Sequence, residues 1–413
     1  MQVIQRLKQE FSFIKGNYAV LVVSWILLDF ASEIPAAYYA LYVLGLGATE
    51  TILGIIGLFQ FLALASMQFP GGYIADRFGR KWIICLMTFG VALSYFFYAL
   101  APSWHFILIG AVLMAVFNST YQPALMAMIA DSLPPEKRGM GFGIVTLIAS
   151  ASTTPGPIVA ALLYSRFGLM DGMRIGYGIV VALFLTAAFL RVFRLKETIK
   201  TAERPSISDL WKNYPAAVKQ SLEVWKRVSR SLFYLVWSLI IVQFGFSAVS
   251  LLLPVYAVND RQLDKAVWAL LTAAAPVTTI IFSIPIGKFV DKVNRKIPML
   301  LAYSLFGLAI WLFVEGNVPM ILASLVLVGA AQVMMQTGFS ALLADLTPKM
   351  ERGKVNAFMN FVGFIFMALG NFVGGFLYEH ISHRLPFYIT IASIIPSFLT
   401  TLMLVEEPEE REM

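Results

Sequence analysis

Of the chain's 413 residues, 59% are hydrophobic and only 13% charged, against a charged share of about 25% in soluble proteins. A water-soluble domain could not hide that much apolar surface, so the surrounding medium is lipid. The net charge of +7 does not mark a nucleic-acid partner, because the basic residues sit in short connections and not along one face.

Twelve apolar stretches are each close to the roughly 20 residues that a membrane-crossing helix needs. They run over 18–44, 50–75, 82–101, 105–130, 140–165 and 173–194, then 232–257, 266–288, 298–315, 318–344, 354–378 and 386–405. They are continuous runs, not the short alternating segments of a β-barrel. The predicted fold class is therefore an all-α polytopic membrane protein. Residues 1–194 and 232–413 each supply six spans, and 195–231 form the long polar connection between them. No cleavable signal is evident before the first span.

Basic residues alternate along the chain. One side collects Lys15, Arg77, Arg80, Lys81, Lys137, Arg138, the group from 191 to 230, Lys292, Arg295, Lys296, Lys349 and Arg352. The other side holds Arg166, Arg174, Arg261, Lys265 and Arg384. Basic loops stay cytoplasmic, which places both termini in the cytoplasm of a multi-pass plasma-membrane protein.

In chain order, the first span carries Asp29 and Glu33, four residues apart on one helix face and near its middle. A carboxylate at mid-bilayer costs roughly 2.5–3.5 kcal/mol on insertion scales, so these acids should face a cavity and serve proton coupling or substrate binding. No other carboxylate, and no Lys, Arg or His, is expected mid-span. Two carboxyls one turn apart resist double ionisation, so they are expected to exchange protons as a pair. Tyr38 follows, and span four adds Asn118, Tyr121 and Gln122. Cys85 allows no disulfide within the chain and reads as a small core residue.

Between spans two and three stands Pro-Gly-Gly-Tyr-Ile-Ala-Asp-Arg-Phe-Gly-Arg-Lys, residues 70–81. Its shape returns after span eight: Gly72, Asp76 and Arg80 repeat as Gly287, Asp291 and Arg295, all 215 residues later. After span four, Asp131 and Arg138 repeat as Asp345 and Arg352, 214 residues on. The chain is a duplication, which predicts two pseudo-symmetric six-helix bundles. Span five carries Gly156, Pro157 and Ala160, and span eleven Gly370 and Gly374. These small residues at helical spacing form a candidate seam on which the halves move. The 195–231 connection spaces Trp211, Tyr214, Val218, Leu222 and Trp225 as a helix lying on the membrane surface. Uncharged polar residues of the second half, Gln243, Gln332, Gln336, Asn356 and Asn360, are further cavity candidates. His380 and His383 read as a solvated loop pair, since further metal ligands are missing.

Residues 72–81 resemble motif A of the major facilitator superfamily of secondary transporters, in every charged position and in location. The second copy differs in carrying Asn294 where the first has Gly79. The resemblance implies that Asp76 meets the start of the eleventh helix and that Arg80 pairs with Asp131. Asp291, Arg295 and Asp345 repeat this, so that the set gates the cytoplasmic side. Gly156-Pro157 is similar to the antiporter motif of drug:proton exporters, with Ser152, Ala160 and Ala161 at positions where that motif has glycine.

The first functional expectation is proton-coupled export of lipophilic, cationic or neutral compounds by alternating access, with a small molecule, protons and the bilayer as partners. The protein is expected to be a monomer without cofactor. Proton-coupled uptake of a sugar or similar solute, a lipid flippase and a non-transporting sensor are the alternatives. An ATP-driven pump is not expected without a Gly-x4-Gly-Lys-Ser/Thr loop, and no catalytic constellation marks an enzyme. The charge asymmetry predicts that protease added outside intact cells leaves a C-terminal tag uncut; cleavage there would overturn the topology.

Overall fold

The computed structural model describes residues 13–77, 79–199, 228–348 and 351–406 and the single positions 215, 219, 223 and 225; the side chains of 71–77, 146, 150 and 291 lie outside that description. Lipid offers the backbone no hydrogen-bond partner, so each crossing segment must close its own ladder, and helices do this. Among the described residues every regular element is helical.

In the first half the helices are α1 (Gly16–Ala36), α2 (Tyr39–Gly45), α3 (Glu50–Arg77), α4 (Arg80–Ala99), α5 (Trp104–Asp131), α6 (Arg138–Thr153) and α7 (Gly156–Arg194). Straight, the 39 residues of α7 would span about 58 Å, twice the hydrocarbon layer. Gly168 breaks them with φ 73° and ψ −177°, a conformation open to glycine, and so divides spans five and six. The second half contains α8 (Arg230–Ser250), a short helix with a π turn over 253–260, α9 (Lys265–Thr272), α10 (Ala274–Lys292), α11 (Lys296–Glu315), α12 (Val318–Leu346), α13 (Arg352–His380) and α14 (Leu385–Leu404). Eleven continuous apolar stretches result among the described residues, one of which, Pro135–Arg194, holds two spans; the crossings number twelve. Ser229, Asp264 and Asn317 cap α8, α9 and α12 with side-chain oxygens that accept the first free N–H groups.

Two six-helix bundles form. In the first, α1 packs on α6 and α7, α5 on α3 and α4, and α4 on α7. In the second, α8 packs on α13 and α14, α12 on α10 and α11, and α11 on α14. Trp225, the described ring of the expected surface helix, stacks on Phe358 at 4.7 Å; Trp211, Tyr214, Val218 and Leu222 lie outside the described residues.

The bundles meet chiefly along α3 and α13. At the end opposite the basic turns the two backbones touch: a Cβ on Gly54 would strike the Asn371 carbonyl, and one on Gly375 the Glu50 carbonyl. Further along, Phe61 faces Phe364 and Phe69 faces Phe361. Gly156, Gly370 and Gly374 pack elsewhere: Gly156 against Glu33 inside the first bundle, Gly370 and Gly374 against Phe244, Ser247 and Ala248 inside the second. The expected seam is thus a contact within each half. Small residues four apart signal close approach, but not to which neighbour.

Gly375→Val should force α13 off α3, at a cost of roughly 1–3 kcal/mol for overpacking. Spin labels on the two helix ends should move apart and the melting temperature should fall. Unchanged distances and stability would show that the contact is not tight.

Candidate functional site

The site grows from α1. Pro35 follows Ile34, α1 stops at Ala36 and the chain restarts as α2, so the acids sit just before a bend. Glu33 lies where α7 begins. A Cβ on Gly156 would come within 2.5 Å of the Glu33 Cβ, so glycine there lets α7 lie directly against the acid-bearing turn. Pro157, next in line, faces the same space.

That space is a cavity of about 490 Å³ between the bundles. The first bundle contributes Glu33, Ala36, Thr153 and Pro157; the second contributes Trp268, Thr279, Gln332 and Gln336. Glu33 is the one ionisable group among the described lining residues. Two hydrogen bonds between the bundles close the cavity toward the end opposite the basic turns. Trp268 Nε1 donates to the Ala37 carbonyl at 3.0 Å, and Tyr38 Oη donates to the Lys265 carbonyl at 2.8 Å. Thr51 N donates to Glu379 Oε2 at 2.8 Å in the same layer. Tyr38, expected on the cavity wall, is part of this closure, 1% exposed.

Asp29 is not on the wall. It lies one turn nearer the basic end, half-buried, in electrostatic range of Glu33 and of Arg191. Arg191 is the main correction to the sequence reading, which grouped it with the polar connection. It is inside α7, 0% exposed. Its Nε donates to Ser24 Oγ at 2.9 Å and its Nη1 to Thr88 Oγ1 at 2.7 Å. Its guanidinium carbon stands 5.8 Å from the centre of the Tyr121 ring. Among the described residues the first bundle therefore holds two acids and one base within its spans, not two acids alone. The available signal was Arg191 flanked by Phe189, Leu190, Val192 and Phe193, with Arg194 already at hand to end the helix.

The other cavity candidates separate. Gln332 and Gln336 line it. Gln243 packs near the backbone of Gly363, Asn118 and Gln122 are half-buried on α5, and Asn356 and Asn360 are exposed on α13. Beside α1 stands a cluster that sequence reasoning missed, in which Tyr98 lies 5.0 Å from Tyr177 and Tyr95 lies 5.6 Å from Tyr98. The two histidines are engaged, not merely solvated. His383 stacks on Tyr378 at 4.4 Å and its Nδ1 lies 2.5 Å from Asp260 Oδ1, while His380 Nδ1 stands 3.4 Å from Thr51 Oγ1.

At the basic end the duplication reappears as geometry. Arg80 pairs with Asp131 and donates to the Ala127 carbonyl; Arg295 pairs with Asp345 and donates to the Ala341 carbonyl. Arg138 donates to the Ala130 carbonyl and Arg352 to the Ala344 carbonyl. Arg138 and Arg352 thus close the carbonyl ends of the helices before them, α5 and α12, and Arg80 and Arg295 reach the same two ends from the starts of α4 and α11. Glu197, unremarked in the sequence, accepts from the backbone N–H groups of Arg80 and Lys81, both at 3.0 Å, where the positive end of the α4 dipole favours an anion. Gly72 and Asp76 have side-chain surroundings outside the described residues, as does Asp291; a Cβ on Gly287 would meet open space.

Two six-helix bundles around one central cavity, with the same charged turns in each half, define a membrane transporter and not an enzyme. The Major Facilitator Superfamily profile matches residues 17–277 and 259–412, and the chain belongs to that family. It is 30% identical over 187 residues to the quinolone resistance protein NorA of Staphylococcus aureus, an alignment covering 44% of this chain and 47% of that protein. The chain thus spans about half the length of these curated relatives. It is 26% identical over 340 residues to multidrug resistance protein 2 of Bacillus subtilis strain 168, covering 79% of each. Among solved structures, a POT family transporter in complex with 5-aminolevulinic acid superposes with a TM-score of 0.72 at 15% identity, over 94% of this chain and 95% of that one. A bacterial homolog of the human lysosomal transporter Spinster, inward-facing and unoccupied, gives 0.70 at 15%, over 96% and 98%. At these identities the structural likeness shows the fold alone.

The two charged turns should differ in weight. The Asp345 side chain is 6% exposed and that of Asp131 37%. Arg295→Ala leaves a buried carboxylate without its partner, which costs roughly 3–5 kcal/mol, whereas water can solvate Asp131 after Arg80→Ala. Denaturant unfolding in detergent should rank Arg295→Ala clearly below Arg80→Ala. The reverse order would show that burial does not set the strength of these pairs.

Proposed function

We propose that the chain is a proton-coupled exporter of lipophilic cationic or neutral compounds. It works by alternating access of its two halves, 1–194 and 232–413, around the central cavity. The carrying observation is the cavity wall: one carboxyl, Glu33, faces amides, hydroxyls and the Trp268 ring. An anion entering there would shed its hydration to meet a carboxylate, which is costly. A lipophilic cation would find a charge partner and apolar surface. The names of the relatives, quinolone resistance and multidrug resistance, support the same substrate class.

In this reading Arg80–Asp131 and Arg295–Asp345, together with Asp76 and Asp291 of the same two sequence motifs, hold the cytoplasmic gate. Both termini face the cytoplasm of a plasma-membrane protein, and one chain supplies the whole cavity, so a monomer suffices. The hydrogen-bonded layer of Tyr38, Thr51, Trp268 and Glu379 then closes the extracellular end.

Proteoliposomes holding the purified protein should accumulate tetraphenylphosphonium against its gradient when a pH gradient is imposed. Glu33→Gln should lose at least about tenfold of that accumulation, the scale of 1.4 kcal/mol in one lost charge contact. Saturable, gradient-driven transport of a phosphate or carboxylate compound instead would overturn the reading.

A further inference from the structure

We propose that, given proton-coupled export, the two acids of α1 divide the work: Asp29 carries the coupling proton with Arg191 as its positioning residue, and Glu33 meets the transported compound. When Asp29 loses its proton, its carboxylate and the open Nη2 of Arg191 form an ion pair that ties α1 to α7. When the proton returns, the pair parts.

The surroundings of Arg191 leave room for such a partner. Its two engaged nitrogens are held by neutral oxygens. The Ser24 hydroxyl spends its own proton on the Leu21 carbonyl, and the Thr88 hydroxyl spends its proton on the Ile84 carbonyl. Each therefore offers the guanidinium a lone pair and no charge. Nη2 is buried with no hydrogen-bond partner among the described residues. Tyr121, whose ring centre lies 5.8 Å from the guanidinium carbon, is its further polar neighbour and is likewise neutral, so the enclosed guanidinium lacks a compensating anion. Asp29 is the carboxyl in electrostatic range, on the neighbouring helix. The arrangement is one partner short of an ion pair, and the partner is at hand.

Placement separates the acids. Glu33 lies on the cavity wall, and Asp29 is not among its lining residues. Asp29 instead hydrogen-bonds Trp25, one turn back on α1, and lies in electrostatic range of Tyr121 on α5 and Arg191 on α7. The titratable groups linked electrostatically around Asp29 are Glu33 from α1, Cys85 and Tyr95 from α4, Tyr121 from α5 and Arg191 from α7. Of these only Arg191 carries a fixed charge, so it is the group whose position can respond to the proton on Asp29. Coupling follows by geometry: pairing draws together the α1 turn that also bears Glu33 and the end of α7, so a proton at one acid alters the wall at the other.

Two readouts test the division on the full chain in proteoliposomes. In infrared titration, Asp29→Asn should remove one carboxyl band that follows bulk pH. In Arg191→Gln the Asp29 carboxyl should hold its proton at least about tenfold more tightly, since a nearby positive charge is gone. Arg191→Lys, which keeps the charge, should stay within about threefold of the unaltered protein and guards against a variant that fails to fold. In equilibrium binding, Glu33→Gln should weaken tetraphenylphosphonium at least about tenfold. Asp29→Asn should bind it within about threefold, yet no longer accumulate it in response to a pH gradient. An Asp29 band unmoved in Arg191→Gln and Arg191→Lys alike, or equal loss of binding in Asp29→Asn and Glu33→Gln, would overturn the proposal. If the unaltered protein neither binds nor moves tetraphenylphosphonium, the export reading fails while the infrared titration still decides the Asp29–Arg191 pair.

Discussion

Inside a lipid-spanning bundle a polar group has no water to fall back on, and this constraint orders the buried polar residues of the described helices. Hydroxyls such as Ser24, Thr88, Thr120 and Ser152 turn back to carbonyls of their own helices. Arg80 and Arg295 reach the carbonyl ends of α5 and α12 as well as an aspartate. Arg191 is the deepest case, a full charge enclosed by four helices of one bundle. Among the described residues the buried polar atoms that this rule leaves without a partner are scattered, from Trp237 Nε1 and Asn371 Oδ1 in the second half to Arg191 Nη2 in the first.

Close packing serves the same end by a different route. Where the bundles must touch, Gly54 and Gly375 remove side chains so that α3 and α13 meet backbone to backbone. Where α7 must lie on the acid-bearing turn, Gly156 does the same beside Glu33. The Gly-Pro pair that resembles an antiporter motif thus acts locally, setting the distance between α7 and Glu33 and putting Pro157 on the cavity wall. The closure opposite the basic turns uses backbone carbonyls as acceptors, at Ala37 and Lys265. Such contacts bind the bundles without burying charge, and they can part at modest cost.

The duplicated turns show how a repeat in sequence becomes a repeat in space. Arg80, Ala127 and Asp131 form the same triangle as Arg295, Ala341 and Asp345, although Asp131 stays far more accessible than its counterpart. The halves therefore share a construction, with Glu197 capping α4 in the first and Asn294 Oδ1 accepting from the Lys296 N–H in the second.

Twelve crossings, the duplication, the charged turns and the pair of acids are all legible in the order of residues. Each rests on a local rule: an apolar run must lie in lipid, a repeated motif must fold alike, and a carboxylate at mid-span must have a use. Which acid faces the cavity is settled only in three dimensions, because Asp29 and Glu33 share a helix face and differ only in what α7 and the second bundle bring beside them. The enclosure of Arg191 is settled there too, since a basic residue one turn before a helix end reads the same whether it snorkels to water or turns inward. Likewise Tyr38 reads as a wall residue until Lys265, 227 positions away, supplies the carbonyl that makes it a closure. Spacing along one helix fixes the direction of a side chain; its partner is set by which distant helix packs there.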